Sequence, residues 1–219
     1  GQSGVYNGGW TIDNDDEDGT ITANYSNIDY LDTNGGSGWD VAAFTNVSFD
    51  GGAYIKFSPA SASAGRHMVG LSYQPNLSPS YTSINFAYYL KNDNTTAIYD
   101  IANDGGSDGI GTGSVSSGAE LQTNSSNMGT LGGRNWESGS IFTIQYDGNR
   151  VLYKSKKPDE TMVTDRIVTI GPFEGSTNIP FFGKASFRED GTTIDKKVAI
   201  REFDFTAAPA DGAPGTSGT

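Results

Sequence analysis

Cysteine is absent from the 219-residue chain, and histidine occurs once, at His67. Without cysteine the chain has no disulfides, no thiolate metal site and no cysteine nucleophile. A single imidazole is also too few for a histidine-rich metal site.

Positive charge is scarce as well. The chain has 14 lysines and arginines against 26 aspartates and glutamates, which gives a net charge of -12 and a pI near 4.3. Proteins that bind nucleic acid or anionic membranes present basic surfaces, so this balance argues against both partners. No apolar run approaches the roughly 20 residues that a membrane-spanning helix needs.

Helical periodicity is also missing, because no window of roughly 11 residues keeps apolar residues at positions i, i+3, i+4 and i+7. The chain has instead 30 glycines, 11 tyrosines and 11 phenylalanines, a composition of turns and strands. A domain of this length buries roughly 70 % of its unfolded surface, which is enough for a full core. We predict an all-β fold.

Alternating apolar and polar residues predict several strands. The strongest local signal is Asp147-Gly148, which predicts a hairpin within residues 140–156. Between residues 103 and 135 the chain is polar, with strand character only near Val115 and Leu121. The other predicted strands are residues 53–59, 66–74, 83–92, 96–104, 179–189 and 195–205. Many short strands with turns between them predict two packed antiparallel sheets.

Several strand runs carry a resemblance to a known family. They are Met68-Val69-Gly70-Leu71-Ser72, Tyr81-Thr82-Ser83-Ile84, Ala87-Tyr88-Tyr89-Leu90, Ile98-Tyr99-Asp100, residues 139–144, Tyr146-Asp147-Gly148, Val151-Leu152-Tyr153, Pro180-Phe181-Phe182 and Ala185-Ser186-Phe187. In order and spacing they resemble the concanavalin A-like jelly roll in its SPRY-like form, over roughly residues 45 to 205. The resemblance implies a two-sheet antiparallel β-sandwich. It leaves function open, since this sandwich hosts lectins, glucanases, peptide-binding modules and viral fibre domains. Such domains often carry Gly-Asp where this chain has Gly139-Ser140, a difference that concerns a turn.

The two ends of the chain have glycines three residues apart, at positions 1 and 4 and at positions 212, 215 and 218. Glycine at every third position is what the collagen triple helix requires, and a flexible Gly/Ser/Thr linker is the alternative. We expect linkers at residues 1–4 and 209–219 around one domain, residues 5–208. Because the chain starts at Gly1 without a signal segment, we expect it to be a piece of a longer protein.

The sequence gives little evidence for a catalytic site. Glu202-Phe203-Asp204-Phe205-Thr206 matches two acids of the Glu-x-Asp-x-Glu strand that related glucanases carry, and Thr206 stands at the third. A retaining glycosidase needs two carboxyl groups roughly 5 Å apart, and an acidic outer face of a terminal strand explains the same residues. A Ser-His-Asp triad would need His67, which lies within a predicted strand. We predict that the protein is not an enzyme.

An acidic loop offers a possible Ca²⁺ site. Asn14, Asp16, Asp18 and Gly19 match the first half of a calcium-binding loop, but Tyr25 stands where a complete EF-hand loop has Glu. An acidic surface turn is the alternative. No other cofactor is implied.

Carbohydrate recognition needs exposed aromatic faces beside amides and hydroxyl groups. Two tryptophans lie in glycine-rich loops, and a third candidate surface flanks the loop of residues 74–80. The alternative for either tryptophan is a plug buried under its own loop. The candidate ligand-binding residues are Trp39, Asp40, Tyr73, Tyr81, Asn135 and Trp136.

These observations favour a non-enzymatic, lectin-like, carbohydrate-binding module for receptor adhesion. The glycine triplets further predict a homotrimeric fibre, and a sandwich between collagen-like segments resembles viral or phage tail-fibre modules. The resemblance implies an extracellular position on the virion and a host cell-surface glycan as partner, bound by three linked sites together. A structural spacer or trimerisation domain is the first alternative, and a protein-binding SPRY-like module is the second.

Overall fold

A computed structural model gives the structure of the chain. It describes residues 10–14, 20–23, 31–34, 38–39, 41–59, 65–103, 115–117, 120–132, 135–176, 178–189 and 198–208. The described strands form two sheets of eight. Both terminal linkers of the sequence analysis lie outside the described residues.

The first sheet, sheet I, carries most of the features discussed below. Its order is β1 (Trp10–Asn14), β4 (Val41–Thr45), β15 (Pro180–Glu189), β7 (Gly65–Ser72), β8 (Phe86–Leu90), β9 (Thr96–Asn103) and β11 (Glu120–Thr130), and the short β5 (Phe49–Asp50) pairs with β15. All of these pairs are antiparallel.

Sheet II has the order β10 (Val115–Ser117), β14 (Val163–Thr169), β13 (Arg150–Lys156), β12 (Ile141–Tyr146), β6 (Ala53–Pro59), β16 (Val198–Ala207), β3 (Leu31–Asn34) and β2 (Thr20–Ala23). Its pairs are antiparallel except for β10 with β14, which are parallel. Within the described part of the chain the helical elements are the three-residue turns Tyr81–Ser83 and Phe173–Gly175, too short to cross a membrane.

The core lies between the sheets, and strand β8 shows how the sequence builds it. Successive side chains of a strand point to opposite faces. Phe86, Tyr88 and Leu90 accordingly join the inter-sheet core, while Ala87 and Tyr89 join a second cluster on the outer face of sheet I. The ring of Tyr88 lies 4.9 Å, between centroids, from that of Phe142 in sheet II. The two sheets therefore pack as a sandwich.

A buried ion pair also joins the sheets. Arg166 of β14 donates from Nε to Oδ2 of Asp100 in β9 over 2.9 Å, and neither side chain is exposed. The hydroxyl of Tyr153 donates to the same oxygen over 3.2 Å, and the backbone N–H of Ala102 donates to Oδ1 over 3.0 Å. Burial raises the pKa of Asp100 to about 6, against the opposing effect of Arg166.

The predicted all-β, two-sheet antiparallel sandwich is confirmed. Strand β6 has the predicted bounds, and the hairpin forms at Asp147, whose Oδ1 accepts from the N–H groups of Asn149 and Arg150. Gly148 has a φ of 93°, which explains its place in that turn. Sequence analysis missed β14 and the first five strands. In the polar stretch it found β10 and only the start of β11, which runs for 11 residues.

Candidate functional site

The loop that joins β7 to β8, residues 73–85, lies across the outer face of sheet I and is held there by polar groups of the sheet. Ser72 donates from Oγ to the carbonyl of Ser83 over 2.5 Å, and Ser186 donates to the carbonyl of Pro79 over 2.7 Å. Lys184 of β15 donates to the carbonyl of Pro75 over 2.6 Å and also contacts Ser78 and Ser83. The β7–β8 loop is thus fixed from below by three side chains.

A cavity of about 190 Å³ opens where this loop meets the start of β11 and the turn Phe173–Gly175. We call it the Tyr73 cavity. Its polar lining comes from Gln74, Thr82, Ser83, Asn85, Gln122, Thr123 and Glu174. Its apolar lining comes from Tyr73, Leu77, Ile101, Leu121 and Phe173. The lining therefore combines aromatic rings with three amides and several hydroxyl groups.

Two features order the walls of the Tyr73 cavity. The Oδ1 atom of Asn85 accepts from the backbone N–H of Tyr73 over 2.9 Å, and the Tyr73 ring packs on Phe173 with centroids 4.9 Å apart. Glu174 has a φ of 51°, a left-handed conformation that is uncommon for a residue other than glycine. Leu77 is 69 % exposed. An aromatic wall, an ordered amide and a carboxylate thus face one small space.

A group of aromatic residues lies on the other side of the turn Tyr81–Ser83, on the outer face of sheet I. This outer-face aromatic cluster consists of Trp39, Tyr81, Tyr89 and Tyr99. Ring centroids are 5.0 Å apart for Trp39 and Tyr81, and 5.7 Å apart for Tyr81 and Tyr99, both edge to face. Burial raises the pKa of the Tyr99 phenol. Thr82 and Ser83 line the Tyr73 cavity directly after Tyr81, so one turn contributes to both features.

Three predicted ligand-binding residues lie in this region. Tyr73 lines the cavity, Tyr81 and Trp39 belong to the outer-face aromatic cluster, and all three are partly buried. Asp40 lies outside the described residues. The structure therefore brings Trp39 next to the loop that carries Tyr73 and Tyr81, although Trp39 lies far from that loop in sequence.

Trp136 has a different position. Its side chain is 2 % exposed, its Nε1 donates to the carbonyl of Lys91 over 2.9 Å, and its ring packs against His67. This is the buried plug that the sequence analysis kept as the alternative, so Trp136 presents no face on which a sugar could stack. Asn135 is exposed beside it and lines a separate space of about 10 Å³. We leave both residues out of the candidate site.

The predicted Ca²⁺ loop falls mostly outside the described residues. Asn14 ends strand β1, whereas Asp16 and Asp18 are not described. Among the residues that are described, no group of three or more His, Cys, Asp or Glu side chains could hold a metal ion. The calcium site remains a prediction.

None of the residues that the sequence analysis considered for catalysis belongs to the described lining of the Tyr73 cavity. His67 is buried in the core, and burial lowers its pKa to about 3. Glu202 and Asp204 lie on β16 in sheet II. The cavity itself has one carboxyl group among its described lining residues, that of Glu174.

Sequence analysis missed Asn85, Gln122, Glu174 and Lys184. Gln122 lies in the polar stretch whose strand was predicted only in part. Lys184 lies on a predicted strand and gave no signal, since a lysine that alternates with apolar residues is typical of a solvent-facing position. Asn85 had a usable signal, because an asparagine beside an apolar run is typical of a turn, although the sequence analysis placed it inside the predicted strand of residues 83–92; β8 begins at Phe86.

Solved structures share this architecture at low sequence identity. The exoplasmic/lumenal domain of VIP36, in its Ca²⁺/Man3GlcNAc-bound form, aligns with a TM-score of 0.51 and 9 % identity over 94 % of this chain and 86 % of that chain. The carbohydrate-binding module CBM66 from Bacillus subtilis aligns with a TM-score of 0.47 and 10 % identity, covering 91 % and 96 %. The metal-free form of lectin I-B4 from Griffonia simplicifolia aligns with a TM-score of 0.47 and 9 % identity, covering 91 % and 93 %.

The VIP36 alignment, together with the two packed antiparallel sheets, identifies the fold as a concanavalin A-like β-sandwich. No family model and no curated protein matches the chain.

Proposed function

We propose that the protein is a carbohydrate-binding module and that the Tyr73 cavity is its primary binding site. The observation that carries the proposal is the lining of that cavity, where the Tyr73 ring stands among the amides of Gln74, Asn85 and Gln122. Sugars need this combination, because their C–H faces pack on aromatic rings and their hydroxyl groups both donate and accept hydrogen bonds.

The size of the cavity limits what it can hold. Its volume of about 190 Å³ lies below the roughly 300 Å³ at which pockets for drug-sized ligands begin. One sugar ring is therefore the largest unit that we expect to enter. The outer-face aromatic cluster would then contact the next ring of a longer glycan, because Tyr81 directly precedes the lining residues Thr82 and Ser83.

The shared fold supports carbohydrate among the possible ligand classes. The VIP36 structure with the same architecture is a Man3GlcNAc-bound form. One fold can carry many unrelated functions, because function depends on the residues of the site. The proposal therefore depends on the lining of the Tyr73 cavity, and the similarity to VIP36 gives it secondary support.

We further propose binding without catalysis. Glycoside hydrolysis uses two carboxyl groups that flank the scissile bond, and the described lining of the cavity contributes one. The adhesive role, the homotrimeric fibre, its place on a virion and the SPRY-like subfamily remain predictions from the sequence. The terminal glycine triplets that motivate the trimer lie outside the described residues.

A glycan array with a matched pair of variants tests the proposal. Gln122→Ala removes an amide from the cavity, whereas Gln145→Ala removes one from β12 in sheet II and serves as the control. We expect the wild-type chain to bind selected glycans, Gln122→Ala to lose about tenfold in affinity, and Gln145→Ala to match the wild type. A folded wild-type chain that binds no glycan would contradict the proposal, as would equal losses in the two variants.

A further inference from the structure

Lys184 is a fully buried lysine whose side chain lies on the outer face of sheet I, beneath the β7–β8 loop. Strand alternation puts Phe187 in the inter-sheet core and turns Lys184, Ser186 and their cross-strand partners outward. Its partner on β7 is Gly70, which has no side chain, so the lysine stem has room to pass over the neighbouring strand. The ammonium group therefore lies between the sheet and the loop.

Oxygen atoms of the β7–β8 loop converge on that ammonium group. Nζ donates over 2.6 Å to the carbonyl of Pro75 and over 2.6 Å to the hydroxyl of Ser83, and it also donates to the carbonyl of Ser78. An ammonium group has three N–H donors, and three neutral oxygens of one loop are among the acceptors around this one. The arrangement has the form of an oxygen-lined cation site in which the cation is part of the chain.

We propose that Lys184 is a positioning residue, an internal cation that holds the β7–β8 loop in its ligand-binding conformation and makes ligand binding independent of Ca²⁺. The inference rests on the proposed function, because the same loop supplies Gln74, Thr82 and Ser83 to the Tyr73 cavity. The loop also supplies Tyr81 to the outer-face aromatic cluster.

If the ammonium were removed, the carbonyls of Pro75 and Ser78 would lose a charged donor in a buried setting, and a buried acceptor without a donor is unfavourable. The loop would then move until these oxygens reached water. A second cation is also repelled from the same oxygens, because the ammonium charge already occupies their centre.

Hydrogen exchange on the whole chain tests the loop without any sugar. Three amides report on its conformation, since Leu77 N–H donates to Gln74, Ser83 N–H to Ser80 and Ile84 N–H to Tyr81. In the wild type we expect their exchange to be the same in EDTA and in Ca²⁺. In Lys184→Met we expect exchange at least about tenfold faster at these amides and unchanged exchange in sheet II. Lys154→Met removes a lysine from β13 and is the control.

Rescue by a small amine separates positioning from a general loss of stability. Lys184→Ala leaves a space that propylammonium can enter, with three N–H donors for the same three oxygens. We expect propylammonium to restore slow loop exchange and to recover affinity for the glycan that binds best on the array. Tetramethylammonium has the charge without the donors, and we expect it to restore neither.

The outcomes decide between the two proposals. If loop exchange in Lys184→Met equals that of the wild type, or if EDTA alone releases the wild-type loop, the inference about Lys184 is wrong whatever the array gives. If loop exchange responds as expected but the wild type binds no glycan, the proposed function fails and the loop role stands. Should both Lys184 variants fail to fold, Ser83→Ala, which removes one of the three acceptors, must still speed the exchange of Leu77.

Discussion

The imidazole of His67 lies in the core between the sheets with 1 % of its surface exposed. Leu90 and Phe187 flank it on the neighbouring strands, and the ring of Trp136 packs edge to face against it. Neither ring nitrogen has a hydrogen-bond partner among the described residues. Burial without a partner disfavours the charged form and lowers the pKa of His67 to about 3.

Stability should therefore depend on pH through His67. Between pH 6.5 and pH 3 the unfolded chain holds a proton on this imidazole that the folded chain does not, so folding becomes less favourable as pH falls through that window. We expect the free energy of unfolding of the wild type, relative to His67→Phe, to fall by about 1.4 kcal/mol per pH unit. Urea unfolding of both proteins between pH 7 and about pH 4.5 measures this difference.

Carboxylates also titrate in this range, but their contribution to the pH dependence of stability is the same in the wild type and in His67→Phe and cancels in the comparison. Asp100 is the important one, because its raised pKa acts in the opposite direction. A folded-state pKa of about 6 against an ordinary value of 3.8 gives stability that is lost as pH rises through 6. Parallel pH dependence of the wild type and His67→Phe would show that His67 does not titrate as burial requires.

At the scale of elements, β7 and β8 approach so closely that one position has no room for a side chain. A Cβ atom on Gly70 would lie 1.8 Å from the carbonyl oxygen of Phe86, which is backbone and has no easy way to move. Gly70→Ala should therefore lower the free energy of unfolding by about 3 kcal/mol or more. Gly132→Ala, where a Cβ would meet no described atom within 4 Å, should change it by less than about 1 kcal/mol. Similar denaturation midpoints for these two variants would contradict the close approach.

The ion pair between β9 and β14 links the two sheets and can be tested as a pair. Arg166→Met leaves the buried carboxylate of Asp100 without its charged partner, which typically costs about 3–5 kcal/mol. Adding Asp100→Leu removes that carboxylate, so we expect the double variant to be more stable than Arg166→Met alone. A double-mutant cycle in urea measures the coupling. Additive losses would mean that the pair does not act as a unit.

How well each element could be predicted depended on whether its signal was local. The hairpin at Asp147 rests on a turn residue, on Gly148 and on flanking alternation, all of which are visible in sequence. Strand β11 was mostly missed because its 11 residues are largely polar and because, among the described strands, it pairs with β9 alone. Its strand geometry comes from tertiary pairing, which overrides weak intrinsic preference.

At the scale of the whole molecule, the candidate site could be predicted only in part. The loop carrying Tyr73 and Tyr81 was found because loops at the end of a sandwich commonly carry function. The two tryptophans had similar glycine-rich surroundings, yet Trp136 is buried by contacts with Lys91 and His67, which are far away in sequence. The role of Lys184 could not be recognised from the sequence, because its ammonium group contacts a loop that lies more than 100 residues earlier in the chain.

The net charge of -12 belongs to the whole molecule and bears on which sugars can bind. A negative field, with the carboxylate of Glu174 at the Tyr73 cavity, disfavours anionic sugars and leaves neutral ones unaffected. We therefore expect neutral glycans to bind with little dependence on salt. Glycans with terminal carboxylates should bind weakly at low salt and somewhat better as salt screens the repulsion.

The variant Glu174→Gln separates the effect of the charge at the Tyr73 cavity on glycan affinity from the effect of the net charge of the chain. It removes one negative charge at the cavity, whereas Glu137→Gln removes one from an exposed position away from the cavity lining, so both variants reach the same net charge. We expect Glu174→Gln to raise affinity for carboxylated glycans by about two- to fivefold and Glu137→Gln to leave it nearly unchanged, because interactions beyond roughly 8–10 Å are largely screened at physiological salt. Binding measured by calorimetry at two salt concentrations makes the comparison. Equal effects of the two variants would mean that the net charge of the molecule, and not the charge of Glu174 at the Tyr73 cavity, sets the affinity for anionic sugars.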